Sequence, residues 1–150
     1  MVVRWTEYVF NAEIGHTHMT GTCSVMIVED EAIVLMDTVM LVEDLGFDIH
    51  SECSTISEAL GALESSLPDV ALLDINIRTE LIWPVARKLK NQGSKIIFTS
   101  ANSRHAELQT EFAECQFVEK PVSSRDLREA LLEATAADRP SVNDAVVLES

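Results

Sequence analysis

The feature that most constrains this chain is a fivefold alternation: a short, nearly continuous apolar run ends in a polar residue, and a segment of helical spacing follows. Ser24 to Val28 runs into Glu29, Asp30 and Glu31, and a helical pattern then continues to Leu45 and stops at Gly46. Phe47 to Cys53 reads as a second, weaker strand. Thr55 with Glu58 has capping-box spacing and opens a helix through Leu63, ahead of Pro68. Val70 to Asp74 is the third strand, and Pro84 suits the first turn of a helix ending near Gln92 and Gly93. Lys95 to Phe98, a short polar helix over Arg104 to Phe112, and Cys115 to Val118 follow. Ser123, with Asp126 three residues on, then caps an amphipathic helix through Leu127, Ala130, Leu131 and Ala134.

Strands that are apolar throughout are buried on both faces, and alternation with helices supplies the crossovers of a parallel sheet. The expected fold class is therefore α/β: a doubly wound, five-stranded parallel sheet with helices on both faces. Residues 1–21 and 138–150 have no place in this scheme and read as an N-terminal extension and a C-terminal tail around a domain at 22–137. Met19 offers an alternative start, and Trp5, Tyr8, Val9 and Phe10 could pack on the domain or on a partner.

Charge and composition exclude several functions. With 25 acidic and 11 basic residues the net charge is −14, which repels nucleic acid and anionic membrane surfaces. The longest nearly apolar run, Ile33 to Val42, is broken by Asp37 and Thr38 and falls short of the ~20 residues of a membrane span. No signal-peptide pattern is present, and the three cysteines, Cys23, Cys53 and Cys115, have neither metal-site spacing nor a disulfide framework. A cytoplasmic protein is expected.

In an open doubly wound sheet, ligands bind at the carboxyl ends of the strands, beside the point where strand order reverses. There the chain places Glu29 and Asp30, Asp74, Thr99 and Ser100, and Lys120, each directly after an apolar run. Clustered carboxylates repel one another unless a cation sits between them, and Mg2+ takes oxygen ligands from one or two carboxylates plus a phosphate oxygen. Lys120 supplies a positive charge for a phosphoryl oxygen, the Ser100 hydroxyl can donate to another, and an aspartate is left to attack phosphorus.

The stretches Val28-Glu29-Asp30-Glu31, Leu73-Asp74-Ile75-Asn76, Phe98-Thr99-Ser100-Ala101 and Lys120-Pro121 resemble the receiver domain of bacterial two-component response regulators, over residues 23 to about 136. The resemblance implies the flavodoxin-like receiver fold, Asp74 as phosphoacceptor, and Mg2+ held by Asp30 directly, by Glu29 through water, by Asp74 and by the Asn76 carbonyl. It further implies Ser100 as switch hydroxyl with Thr99 as fallback, Lys120 as phosphate-binding lysine, a cis bond at Pro121, and Phe117 as aromatic switch. The implied partner is a sensor histidine kinase or a phosphotransfer protein. Asn76-Ile77-Arg78-Thr79-Glu80-Leu81, with Pro84-Val85-Ala86 after it, replaces the Met-Pro and glycine common after the phosphoacceptor and is similar to a stand-alone subgroup associated with HWE-type kinases. With 14 residues left after Ala136, no output domain is expected, and no enzymatic activity beyond self-phosphorylation and autodephosphorylation.

An aspartyl-phosphate phosphatase of the haloacid dehalogenase type would begin an Asp-x-Asp pair after the first strand; here Asp74 follows the third and is paired with Asn76. A receiver-like module that binds partners without taking phosphate would be favoured by loss of Asp74 or Lys120, and both are present. A flavodoxin-like cofactor protein would want a Gly/Ser/Thr-rich loop where Glu29-Asp30-Glu31 stands. His16, His18, His50 and His105 have no assigned role, Trp83 reads as a packing residue, and Glu111 with Glu114 as a solvated helix face. The first helix is apolar around most of its circumference: Val34, Leu41 and Leu45 share one side and Met36 and Met40 the other, so a homodimer or kinase-docking surface is expected there.

Overall fold

The computed structural model describes residues 22–136. The extensions, with Trp5, Tyr8, Val9, Phe10, His16, His18 and Met19, lie outside the described residues. Five strands, β1 (Ser24–Val28), β2 (Asp48–Cys53), β3 (Val70–Asp74), β6 (Lys95–Ser100) and β7 (Gln116–Glu119), form one parallel sheet in the order β2-β1-β3-β6-β7. The order reverses between β1 and β3, so the loops after these two strands diverge to opposite sides and leave the crevice where ligands bind.

Alternate residues of the central strands feed two cores. Met26, Val28, Leu73 and Phe98 pack beneath α2 (Ile56–Ser65), α3 (Trp83–Asn91) and α4 (Ala106–Gln109), joined by Ile56, Leu63, Leu89 and Phe112. Val25, Ile27, Leu72 and Ile97 face α1 (Ala32–Asp44) and α5 (Ser124–Ala134), where Val42, Leu127 and Leu131 close the second core. Both faces of the sheet are thereby covered, as uninterrupted apolar strands require.

The caps read from sequence form. Thr55 Oγ1 accepts from Glu58 N–H at 3.0 Å, while the Glu58 carboxylate accepts from Ser54 N–H at 2.8 Å, one residue ahead of the usual reciprocal partner. Ser123 Oγ accepts from Asp126 N–H at 3.0 Å. Gly46 and Gly93 follow the C-caps of α1 and α3 with φ of 92° and 88°, the left-handed conformation that ends a helix at little cost to glycine.

Two local readings are corrected, and one stretch without an expected structure takes form. The stretch before Pro84 is a small antiparallel hairpin, β4 (Asn76–Ile77) with β5 (Glu80–Leu81), which tucks Ile75, Ile77 and Ile82 into the core. The helix expected over Arg104 to Phe112 is only Ala106–Gln109, because Thr110 leaves helical geometry and Phe112 N–H bonds back to the Glu107 carbonyl as its ring drops into the core. Glu111 is therefore on a turn, not a helix face, and pairs with Arg87 at 2.7 Å. On α1, Val34 is exposed and Leu41 and Leu45 only half-buried, since a helix crossing a sheet buries a narrow stripe, here centred on Val42. Trp83 is buried as expected, stacked on Phe112 at 5.6 Å, and Cys23 and Cys53 are buried core residues.

Candidate functional site

At the sheet's carboxyl edge, the backbone register sets which groups meet. Asp74, the last residue of β3, lies opposite Thr99 on β6, and the Ile75 N–H donates to the Thr99 carbonyl at 3.0 Å. Lys120, just past β7, donates its backbone N–H to the Ser100 carbonyl at 2.9 Å, and this extension of the ladder aims its side chain back across the edge. Its Nζ donates to Asp74 Oδ2 at 2.9 Å and to Glu29 Oε1 at 3.0 Å. The Lys120–Pro121 bond is cis.

Both carboxylates are buried, and the lysine is only part-exposed. Burial pushes the Glu29 carboxyl above its ordinary range; the Glu31 N–H at 3.1 Å and Lys120 pull it down, and the Asp74 charge pushes it up again. For Lys120 burial works to lower the pKa, but the hydrogen bonds and charges of Asp74 and Glu29 outweigh it, and the ammonium is held above its usual value. One cation thus serves two buried acids, and local negative charge remains uncompensated.

One carboxylate oxygen from each of Glu29, Asp30 and Glu31 lies within 4.8 Å of the other two. Hard oxygen donors at that separation fit a small divalent cation such as Mg2+. Asp74 is drawn toward Lys120 rather than into this group, and its Oδ1 accepts from Asn76 N–H at 3.3 Å. Asp30 has a second partner: its Oδ2 accepts from Arg78 N–H at 2.7 Å, which ties the hairpin tip to the acidic loop. Arg78 takes φ 58°, a left-handed conformation uncommon outside glycine and asparagine. Neither Glu31's share in the cluster nor Arg78's anchoring was foreseen. Three consecutive acids could have signalled the first; nothing about an arginine signals the second.

Ser100 and Thr99 are separated by strand parity. Ser100 is buried, shares the α3–α4 face of the sheet with Phe98, and accepts at Oγ from Asn102 N–H at 3.2 Å. Phe117 pairs with Phe98 in the β6–β7 register and packs half-buried against that same core. Thr99 points to the opposite face with Asp74.

A doubly wound parallel sheet with a buried lysine–carboxylate pair beside a cluster of acids at its switch point defines a receiver-type α/β domain. The chain belongs to the response regulator receiver domain family, whose model matches residues 25–132. It is 32% identical over 120 residues, 77% of its length, to the positive alginate biosynthesis regulatory protein of Pseudomonas aeruginosa, and spans about half of that protein, 48%. The solution NMR structure of the PhyR response regulator receiver (REC) domain from Erythrobacter litoralis is similar at 25% identity and TM-score 0.69, covering 81% of this chain and 96% of that one. A CheY-like receiver domain from Methanospirillum hungatei shares the fold at 22% identity and TM-score 0.70, covering 78% and 96%.

Proposed function

We propose that this receiver domain accepts a phosphoryl group on Asp74 and signals by the change in surface that follows. The observation that carries the reading is the Lys120 ammonium bridging the buried carboxylates of Asp74 and Glu29 at the sheet's switch point. A carboxylate oxygen of Asp74 forms a new bond to phosphorus as the bond from phosphorus to the donor's imidazole nitrogen breaks, and the imidazole leaves. Lys120, already within hydrogen-bond distance of Asp74, holds one phosphoryl oxygen, and the Ser100 hydroxyl donates to another. Asp30, Glu29, Asp74 and the Asn76 carbonyl, with Glu31 beside them, would hold Mg2+, which when bound neutralises charge on the phosphoryl oxygens.

Ser100 is favoured over Thr99 as the switch hydroxyl because it lies on the face that holds Phe117. Movement of Ser100 toward the phosphoryl group vacates volume on that face for the Phe117 ring. The donor is a sensor histidine kinase, of the HWE type by the Asn76–Leu81 stretch, or a phosphotransfer protein, and the domain works in the cytoplasm with no turnover of its own beyond gain and loss of the phosphoryl group. Among the described residues no helix is long and apolar enough to cross a membrane.

Incubation with Mg2+ and acetyl phosphate tests the reading. The expected result is one covalent phosphate per chain in the wild type, none in Asp74→Asn, and slowed formation in Asp30→Ala. Phosphorylation of Asp74→Asn at the wild-type rate, or none in the wild type, overturns it.

A further inference from the structure

The hairpin after Asp74 turns at Arg78 and Thr79, the two residues inside the Ile77–Glu80 pair that closes it. Arg78 has φ 58° and is the one non-glycine residue with positive φ among the described residues. A two-residue loop with positive φ at its first position alone is a turn that prefers glycine there, so an arginine in that place is held by its surroundings. Ile75, Ile77 and Ile82 are fully buried, and the Ile82 N–H donates to the Ile75 carbonyl at 2.9 Å, which fixes the base of the hairpin. Its tip is fixed by the bond from the Arg78 N–H to Asp30 Oδ2 at 2.7 Å, while Arg78 itself is exposed.

That bond completes a pattern among the carboxylates of the site. Both oxygens of Glu29 accept hydrogen bonds, Oε1 from Lys120 Nζ at 3.0 Å and Oε2 from the Glu31 N–H at 3.1 Å. Both oxygens of Asp74 do so too, Oδ2 from Lys120 Nζ at 2.9 Å and Oδ1 from the Asn76 N–H at 3.3 Å. Asp30 is held at one oxygen, by a hairpin tip 48 residues away in sequence. A carboxylate with an oxygen committed to a fixed donor meets a cation through a single oxygen. Ca2+ takes carboxylates through one oxygen or both, in a large and irregular shell, whereas the smaller Mg2+ demands octahedral geometry and keeps several waters beside few carboxylate oxygens. The committed oxygens therefore suit Mg2+.

We propose that Arg78 is a positioning residue that makes the site selective: its N–H keeps Asp30 to single-oxygen ligation and so favours Mg2+ over the larger Ca2+. The inference rests on the reading of Asp30 as a cation ligand and deepens it. What acts is the backbone N–H in its left-handed conformation, not the guanidinium charge. Arg78→Gly keeps both the N–H and the positive φ. Arg78→Val disfavours the positive φ, and Arg78→Pro has no N–H to give.

Mg2+ and Ca2+ are titrated separately, by calorimetry, into the full chain as wild type, Arg78→Gly, Arg78→Val and Arg78→Pro, and the backbone amide signals of the wild type are followed by NMR. Arg78→Gly is expected to keep the wild-type ratio of the two dissociation constants, and Arg78→Val and Arg78→Pro to shift it about tenfold toward Ca2+. In the wild type the Arg78 amide proton should stay downfield and slow to exchange at saturating Mg2+. A merely structural role weakens both cations alike, and that result overturns the proposal. So does one ratio in every protein, a shift in Arg78→Gly equal to that in Arg78→Val, or an Arg78 amide released by Mg2+. The amide measurement needs no variant and decides by itself where one fails to fold. If the wild type takes up neither cation, or Asp30→Ala takes up both as the wild type does, the reading of Asp30 as a ligand falls and this proposal with it. Uptake that depends on Asp30, with an unchanged ratio, overturns this proposal alone.

Discussion

Glu29 and Glu58 are carboxylates whose surroundings push them in opposite directions. Burial raises the pKa of Glu29, so between its ordinary value and the raised one the folded state binds more protons than the unfolded, and its contribution to stability falls as pH rises through that window. Glu58, at the surface, is lowered by hydrogen bonds from the Ser54 N–H and hydroxyl, so its contribution is present above the ordinary carboxylate range and lost as pH falls through the lowered value. Glu29→Gln is therefore expected to raise the metal-free melting temperature at pH 7 and to remove the first slope. Glu58→Gln should instead flatten the loss of stability on the acid side. Melting curves from pH 3 to 7 distinguish them; a Glu29→Gln variant less stable than wild type at pH 7 would show that Lys120 outweighs burial.

At the scale of elements, the α2 start and the α4 turn differ in what holds them. The N-terminus of α2 depends on a local side-chain cap, and Thr55→Ala is expected to cost about 1 kcal/mol by urea denaturation, the usual value for such a cap. The turn after α4 is held from outside. Phe112 stacks on Trp83, meets Phe98 edge-on at 5.2 Å and lies under Lys90, while Arg87 forks onto Glu111. Removing that ring should cost about 3–5 kcal/mol, the range for a buried phenylalanine, whereas Glu111→Gln on the exposed rim should cost little. Loss of less than 1 kcal/mol in Phe112→Ala would mean that the turn is secured by its ion pairs instead.

For the whole molecule, the switch point sets the buried carboxylates of Glu29 and Asp74 close to those of Asp30 and Glu31, and cation binding is the natural relief. Because Glu29 and Asp30 follow β1 while Asp74 ends β3, folding alone sets Asp74 beside them, so a cation that binds these acids stabilises the native state. At a hundredfold excess over Kd the gain is about 2.7 kcal/mol. Mg2+ is expected to raise the melting temperature of the wild type and to have much less effect on Asp30→Ala. An equal rise in both proteins would place the cation elsewhere.

What the sequence determined by itself is whatever follows from local periodicity and strand ends. The near-continuous runs Val25–Val28, Val70–Leu73 and Ile96–Phe98 dictate strands buried on both faces, and the residues after them must fall on one edge, so Asp74 and Ser100, and Lys120 after the weaker run ending at Val118, could be named from the sequence. The caps at Thr55 and Ser123 and the glycine stops at Gly46 and Gly93 are equally local. The tertiary structure alone decided the rest. The Asn76–Leu81 hairpin exists because Ile77 and Ile82 are drawn into the core and Asp30, 48 residues earlier, holds the Arg78 N–H; α4 is cut short because Phe112 gains more by packing under Trp83 than the chain gains from another helical turn. Which side of α1 is buried depends on its angle across the sheet, and which acid Lys120 grips depends on the β6–β7 register. Each is settled by contacts between residues distant in sequence, on which periodicity is silent.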